Sequence, residues 1–256
     1  MAVGFSVLQG QGSVQFHSTY VQRRQAGVSY RDFQRLWRSH GDFAATVPAF
    51  WRNVDCYIHN DPVENSDGLP NVSTRYDAVG ELYYTSYETW LSMRDVMWNE
   101  VAPDEKRVFA GAPLSVRGTR VVHQNPVGQY KLFTLAKSSA ASVEERGGSL
   151  GEYRKYIKET LSSPNFGAAL RGFTATTATR PSPESGMDSV AQTASTHDHL
   201  FVHHFESEAT ARAALQSADY AKLQVLESRF LDWESRIVLL CRGWILKGEQ
   251  SSARID

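Results

Sequence analysis

The sequence predicts an α+β fold in which one βαββαβ unit occurs twice and the two units close a barrel. Apolar periodicity and runs of β-forming residues give the same order of strands and helices in both halves. Matching residues also recur at an almost constant separation, as Phe33 and Tyr153 do, and Phe109 and Phe230. A chain of 256 residues is long enough for two such units.

In the first half, β-forming residues predict strands at 14–23, 51–59, 76–85 and 114–123. Ser29, followed three residues later by Asp32, resembles a capping box and predicts the start of the first helix. Phe33 and Trp37 lie on the apolar face of that helix, which we expect to end near Gly41 or to continue until Pro48 restricts it. A polar, turn-rich stretch at 60–75 follows the second strand, and a second helix is predicted at 90–109.

The second half repeats this order, with strands at 130–136, 172–179, 200–205 and 236–246 and helices at 149–169 and 208–232. A polar loop at 180–198 again separates strands two and three. The order βαββαβ is the ferredoxin-like plan, so we interpret 1–125 and 126–256 as tandem ferredoxin-like repeats with antiparallel sheets. Helices on one face leave the other face of each sheet bare. We expect the bare faces to meet in an intramolecular barrel that holds side chains or a small ligand.

Composition excludes several classes of function. Lys plus Arg number 27 and Asp plus Glu 28, a net charge of −1, so no nucleic-acid partner is expected. No apolar run approaches the ~20 residues of a membrane span, and no basic residue precedes Arg23 as a secretory signal requires. Cys56 and Cys241 lack metal-ligand spacing, so we expect a reducing, cytoplasmic location without disulfides.

Two stretches, YVQRRQAGVSYRDFQRLWRSHG at 20–41 and YDAVGELYYTSYETW at 76–90, resemble the EthD family of dimeric α+β-barrel proteins. The shared features are a strand ending in Arg, then Gly-Val-Ser, a helix with Phe, Trp and His, and an Asp-x-Val-x-Glu-Leu strand. The second half matches the plan but not the motifs, since Ile157 aligns with Trp37 and Thr160 with His40.

The resemblance implies a barrel fold and, for a tandem fused member, a tailoring protein that acts on an aromatic polyketide-like substrate. The wider superfamily includes cofactor-independent anthrone monooxygenases, polyketide cyclases, dehydratases and decarboxylases, and also haem enzymes. The reaction itself needs support from the site.

His40 is the leading candidate for acid–base catalysis. It follows Trp37 by one turn, at the predicted C-terminal end of the first helix, where the helix dipole would favour the protonated imidazole. A capping or exposed His is the structural alternative. Asp42 could orient the ring or lie in solvent.

The third strand suggests a second group of site residues inside the barrel. Leu82 and Tyr84 suit packing on helices, so Glu81 and Tyr83 would point inward, where burial would raise the pKa of Glu81. His204 lies on the equivalent face of the second half and would share the cavity. The alternative is a structural Glu81 paired with an Arg.

Strand one has two mixed faces, one with Tyr20 and the other with His17, and both residues are candidates for substrate binding. We favour the face of Tyr20 as the one that lines the cavity, although the pattern does not decide the parity. Trp37 and Trp51 are the tryptophans expected to contact substrate.

No metal and no cofactor are expected. The histidines at 197, 199, 203 and 204 form no HExxH or facial-triad pattern, and His203 and His204 would face opposite sides of a strand. No single His stands out as a haem ligand. The GxSxG, P-loop and GxGxxG patterns do not occur either.

The sequence thus predicts a cofactor-independent tailoring enzyme of the decarboxylase, dehydratase or cyclase type, with His40, Glu81 and His204 as catalytic residues. Two alternatives remain: a cofactor-free anthrone or phenol monooxygenase, and a non-catalytic protein that binds a hydrophobic aromatic ligand. The expected partner is a small aromatic molecule. The chain is expected to be a monomer with an internal pseudo-dimer, or a homodimer.

Overall fold

A computed structural model describes residues 15–139, 148–179 and 195–248. Eight antiparallel strands form one closed barrel, in the order β1-β3-β2-β8-β5-β7-β6-β4. The α+β class, the antiparallel sheets and the intramolecular barrel that the sequence predicts are therefore confirmed. No described helix is long and apolar enough to cross a membrane.

The first half contributes four strands and the helices over their outer face. The strands are β1 (Gln15–Arg24), β2 (Cys56–Pro62), β3 (Ala78–Tyr84) and β4 (Phe109–Gln124). The helices are α1 (Tyr30–Ala45), α2 (Pro48–Asn53), α3 (Tyr87–Ser92), α4 (Arg94–Val96) and α5 (Ala102–Glu105), with a π-helical turn at Met97–Val101 before α5. Ser29 caps α1 as predicted, since its side chain accepts a hydrogen bond from the Asp32 backbone N–H.

The second half repeats the arrangement. Its strands are β5 (Tyr130–Ala136), β6 (Leu170–Ala178), β7 (His199–Phe205) and β8 (Ile237–Lys247). Its helices are α6 (Gly148–Ser162), α7 (Phe166–Ala169), α8 (Glu208–Leu215) and α9 (Ala218–Glu227). Most of the predicted 180–198 loop lies outside the described residues.

Two edge pairings join the halves. β2 pairs with β8 and β4 pairs with β6, so the four-stranded sheet of each half continues into the other. Closure leaves neither sheet with a free edge. One end of the interior is filled by an apolar cluster of Val21, Val79, Val116, Phe133, Leu135, Leu200, Val202, Leu239 and Cys241.

Two predicted strand starts in the first half are wrong, and one of them is that of β4, which begins at Phe109 rather than at 114. Residues 51–53 belong to helix α2 rather than to a strand, because Pro48 at the first helical position favours helix over the extended backbone. Helix α1 continues past Gly41 to Ala45, and Gly41 faces the sheet. A Cβ at Gly41 would lie 2.5 Å from Leu246 Cδ1 and 3.1 Å from His59 Cε1, so glycine permits this close approach.

Candidate active site

The first sheet separates the predicted site residues into two groups. His17, Glu81, Tyr83 and His204 lie inside the barrel, whereas Tyr20, Trp37 and His40 lie between the outer face of the sheet and α1. The expectation that the face of Tyr20 lines the barrel interior is therefore wrong, because strand one turns His17 inward.

Glu81 is the centre of a buried polar network inside the barrel. Its Oε1 accepts hydrogen bonds from Lys131 Nζ at 2.6 Å and from Asn60 Nδ2 at 2.9 Å, and its Oε2 accepts from Tyr83 Oη at 2.7 Å. His17 Nε2 lies 3.4 Å from Oε2, and both side chains have no exposed surface. The ion pair of Glu81 and Lys131 joins the two halves inside the barrel.

This network changes the expected chemistry of Glu81. Burial alone would raise the pKa of Glu81, but the Lys131 ammonium and the contact with His17 lower it well below its ordinary value. The prediction of a raised pKa for Glu81 is therefore wrong, and its ion pair is with Lys rather than Arg. His204 is buried in the same interior, and burial lowers its pKa well below the ordinary value. An ionised, fully bonded Glu81 is suited to structure rather than to proton abstraction.

His40 lies on the outer side of the sheet, five residues before α1 ends at Ala45. Its Nδ1 is 2.8 Å from Asp104 Oδ2, and Arg107 donates two further hydrogen bonds to the same carboxylate. Burial raises the pKa of Asp104, but the bonds from Arg107 and His40 lower it below its ordinary value. The carboxylate accepts from Nδ1–H, so the lone pair of His40 is on Nε2.

The electrostatics of His40 differ from the prediction. Burial lowers the pKa of His40 below its ordinary value, against the opposing effect of Asp104. The imidazole is therefore neutral at pH 7, and the helix dipole is not the deciding effect. Asp104, not Asp42, orients the ring.

The outer face of the sheet also carries His59, which the sequence did not indicate. Its ring is fully buried and stacks on Trp37, with ring centroids 4.1 Å apart and an interplanar angle of 13°. Arg38 bonds to His59 Nδ1 at 3.0 Å and also pairs with Asp61. Trp37 thus contacts a second histidine of the layer, in addition to lying one turn from His40.

Tyrosines and one carboxyl group complete this layer. Tyr20 Oη lies 3.1 Å from Tyr57 Oη, and Tyr84 Oη is buried with no hydrogen-bond partner among the described residues. Burial raises the pKa of Glu105 to about 7, against the opposing charge of Arg117. Glu105 ends the helical segment that begins with the π-turn, a feature common at functional sites.

Gly80 has no side chain, which leaves room for the ring of Tyr20. A Cβ at Gly80 would overlap Tyr20 Cζ, so the tyrosine ring lies directly over the backbone of β3. Trp51 packs against the buried cluster that includes Tyr57 and Tyr84. It is half-buried in α2, where its carbonyl accepts a hydrogen bond from Lys247 and its ring lies 5.2 Å from Lys247 Nζ.

The equivalent layer of the second half is an apolar core. Phe201 takes the strand position of Gly80, and Ala175 pairs with it as His59 pairs with Gly80. Phe201 belongs to a 20-residue cluster of buried side chains that the second half contributes almost entirely. Thr160, at the position of His40, is buried, and its Oγ1 has no hydrogen-bond partner in the described part of the chain. The layer of His40, His59 and Tyr20 is thus not repeated in the second half, whose outer side holds a different buried polar group of Tyr156, His203, Glu227 and Arg236.

No three side chains of His, Cys, Asp or Glu converge as a metal site within the described ranges. His203 and His204 face opposite sides of β7, as expected. His203 contacts Tyr156 and Phe173 outside the barrel, while His204 pairs across the strands with Lys131. In the outer layer of the first half, the lone pair on His40 Nε2 can accept a proton, and the hydrogen-bond donors can bind oxygen atoms.

Comparison with known proteins also distinguishes the first half of the chain from the second. Residues 25–112 match the EthD domain family. The matched segment lies within the first half of the chain. That segment spans α1, β2, β3, the π-turn and α5, and so contains His40, His59, Asp104 and Glu105. No curated protein sequence matches the chain.

Solved structures share the whole barrel at low sequence identity. An anthrone oxidase-like protein has a TM-score of 0.58 at 9% identity, with 97% of this chain and 99% of the other covered. A candidate monooxygenase from Fusobacterium nucleatum subsp. nucleatum has a TM-score of 0.55 at 7% identity, covering 92% and 94%. A chlorite dismutase variant from Candidatus Nitrospira defluvii has a TM-score of 0.51 at 8% identity, covering 91% and 92%. These similarities show the dimeric α+β-barrel fold.

Proposed function

We propose that the protein is a cofactor-independent enzyme that removes a proton from an aromatic, polyketide-like substrate in the layer between α1 and the first sheet. The observation that carries the proposal is the contact of the buried His40 with the half-buried Asp104, which holds Nδ1 at 2.8 Å from the carboxylate. The reaction class is acid–base tailoring, namely decarboxylation, dehydration or ring closure. Each of these needs a proton moved next to a carbonyl.

In this mechanism, His40 Nε2 accepts a proton from an acidic C–H or O–H of the substrate. The carboxylate of Asp104 keeps the ring in the required tautomer and stabilises the imidazolium that forms. Glu105, protonated below about pH 7, can donate to a substrate oxygen. Trp37 and the tyrosines of the layer supply flat surfaces for an aromatic ring.

A second candidate is oxygenation of the same kind of substrate, and the full-length fold similarity to an anthrone oxidase-like protein favours it. Proton removal by His40 would convert anthrone to an electron-rich anion that transfers electrons to O₂. The balanced reaction is anthrone plus O₂ giving anthraquinone plus water. The protein would contribute the base and a site for the anion, and the substrate would supply the electrons.

The test separates proton abstraction from the later steps of the reaction. Anthrone is incubated with enzyme in D₂O without oxygen, and deuterium uptake at its methylene carbon is measured by mass spectrometry. We expect His40→Gln to slow the catalysed exchange by about 10²–10⁴-fold and Asp104→Asn to slow it as well. The matched control is His123→Gln, because His123 contacts Tyr153 of the second half. This variant should catalyse deuterium exchange at the wild-type rate.

Two further measurements assign the reaction class. Oxygen consumption with anthraquinone formation supports the oxygenase, and carbon dioxide release from hydroxyaryl carboxylates supports the lyase. Tight binding of anthrone without deuterium exchange in any variant would refute an enzymatic function. It would favour a protein that carries aromatic ligands. Undiminished exchange in His40→Gln would refute the assigned base.

A further inference from the structure

His59 is a buried side chain held on three sides. Trp37 stacks on one face of its ring at a centroid distance of 4.1 Å, and the ring of Tyr57 meets it edge-on at 4.8 Å. Arg38 bonds to Nδ1 at 3.0 Å, and Arg38 is itself held by Asp61. The orientation of the imidazole is thus fixed before any substrate arrives.

The bond from Arg38 decides which nitrogen carries the proton. A guanidinium group can only donate, so Nδ1 of His59 must accept. In a neutral imidazole the proton is then on Nε2. Burial, followed by the charge of Arg38, lowers the pKa of His59 well below its ordinary value, so the ring is neutral at pH 7.

The Nε2–H group that results has nothing to bind. Nε2 is buried and has no hydrogen-bond partner among residues 15–139, 148–179 and 195–248. An unsatisfied buried donor costs about 1–3 kcal/mol, and such groups in folded proteins call for an explanation. The Nε2 edge of the ring lies against α1 at Gly41, the residue that follows His40, because a Cβ there would be 3.6 Å from Nε2.

Resting on the proposed function, we propose that His59 is a catalytic electrophile. Its Nε2–H donates a hydrogen bond to the substrate oxygen on which negative charge develops when His40 removes the proton. A neutral donor suits this task, because it stabilises the enolate or phenolate without first giving up its own proton. The substrate class is thereby narrowed to aromatic compounds with a carbonyl or hydroxyl group next to the acidic position.

The kinetic test uses anaerobic deuterium exchange into anthrone. His59→Phe keeps a ring on Trp37 and removes the donor, and we expect kcat to fall about 10²–10³-fold with a smaller change in KM. His59→Gln restores an N–H donor and should recover part of that loss. His203→Phe is the matched control, since His203 is also buried and stacks on Phe173 at 4.5 Å in the second half. It should exchange at the wild-type rate.

Nitrogen-15 NMR of the histidine rings at pH 7 tests the tautomer without any turnover. We expect the His59 signals of the Nε2–H form. The Nδ1–H form, or a charged ring, would overturn the proposal. So would wild-type exchange in His59→Phe when His40→Gln is inactive.

Failure of the proposed function has a different signature. If the wild-type protein does not catalyse deuterium exchange into anthrone, the assignment of His40 as the base fails for this substrate. The role of His59 as a hydrogen-bond donor is then tested by phenolate binding. para-Nitrophenolate should shift the His59 Nε2–H resonance and bind at least about tenfold more weakly to His59→Phe, a loss of about 1.4 kcal/mol. An unshifted resonance refutes the role of His59.

Discussion

The ion pair of Glu81 and Lys131 gives the sharpest test of what the barrel interior does. Lys131→Met removes the ammonium and leaves the carboxylate in a site with no exposed surface. Breaking a buried pair in this way costs about 3–5 kcal/mol. A domain is stable by only about 5–15 kcal/mol, so the variant loses at least about a fifth of its stability. Urea unfolding at pH 7 measures this loss.

The double variant Glu81→Gln/Lys131→Met separates structure from catalysis. The new amide oxygen can still accept a hydrogen bond from Asn60, the amide nitrogen can donate to Tyr83 Oη, and no charge is left unpaired. We expect the double variant to regain stability to within about 1 kcal/mol of wild type, because neutral replacements of buried pairs are often harmless. It should also catalyse anthrone exchange normally. A stable double variant without activity would refute our reasoning and restore Glu81 as a catalytic residue.

Three further predictions concern protonation and packing. His59, His203 and His204 are neutral in the folded protein but become protonated in the unfolded chain below about pH 6.5. Protonation of each histidine in the unfolded chain should therefore lower the free energy of unfolding by about 1.4 kcal/mol per pH unit as the pH falls from 6 to 5. Urea unfolding at both pH values should show a smaller slope in His203→Phe, and an equal slope would contradict this. Gly80→Ala should cost about 1–3 kcal/mol through its clash with Tyr20, and much less when Tyr20→Ala is also present. Glu105→Gln should remove a fall in activity above pH 7 from the rate profile, and an unchanged profile would exclude Glu105 as the acid.

The sequence predicted the faces of β3 but not those of β1. In β3, Leu82 and Tyr84 pack with the helices, so alternation alone put Glu81 and Tyr83 inside the barrel. In β1, His17 joins a polar network inside the barrel, and Tyr20 packs among aromatic residues outside it. Both faces are then mixed in polarity, and no local pattern could tell them apart.

The partners of the site residues are remote in the chain, which is why the sequence did not reveal them. Asp104 lies 64 residues after His40, and Lys131 lies 50 residues after Glu81. The sequence does supply the residue types, but only the barrel closure and the α5 turn bring these atoms together. His59 carried no motif of its own, and its assignment to a strand was the only signal available.

The two halves divide the tasks that a single unit would have to combine. Both halves of the described chain keep unsatisfied buried polar atoms, for example at His59 and Tyr84 in the first half and at Thr160 and His203 in the second, and each of them costs stability. The second half fills the same layer with apolar side chains, pairs Arg236 with Glu227, and supplies Lys131 to the barrel interior. Because β2–β8 and β4–β6 pairing makes the barrel one unit, the well-packed half can stabilise the polar half. The second half does not repeat His40, His59 or Gly80, as expected if it supports the fold while the first half carries the proposed site. On this argument the chain has one active site, and one equivalent of ligand should saturate it.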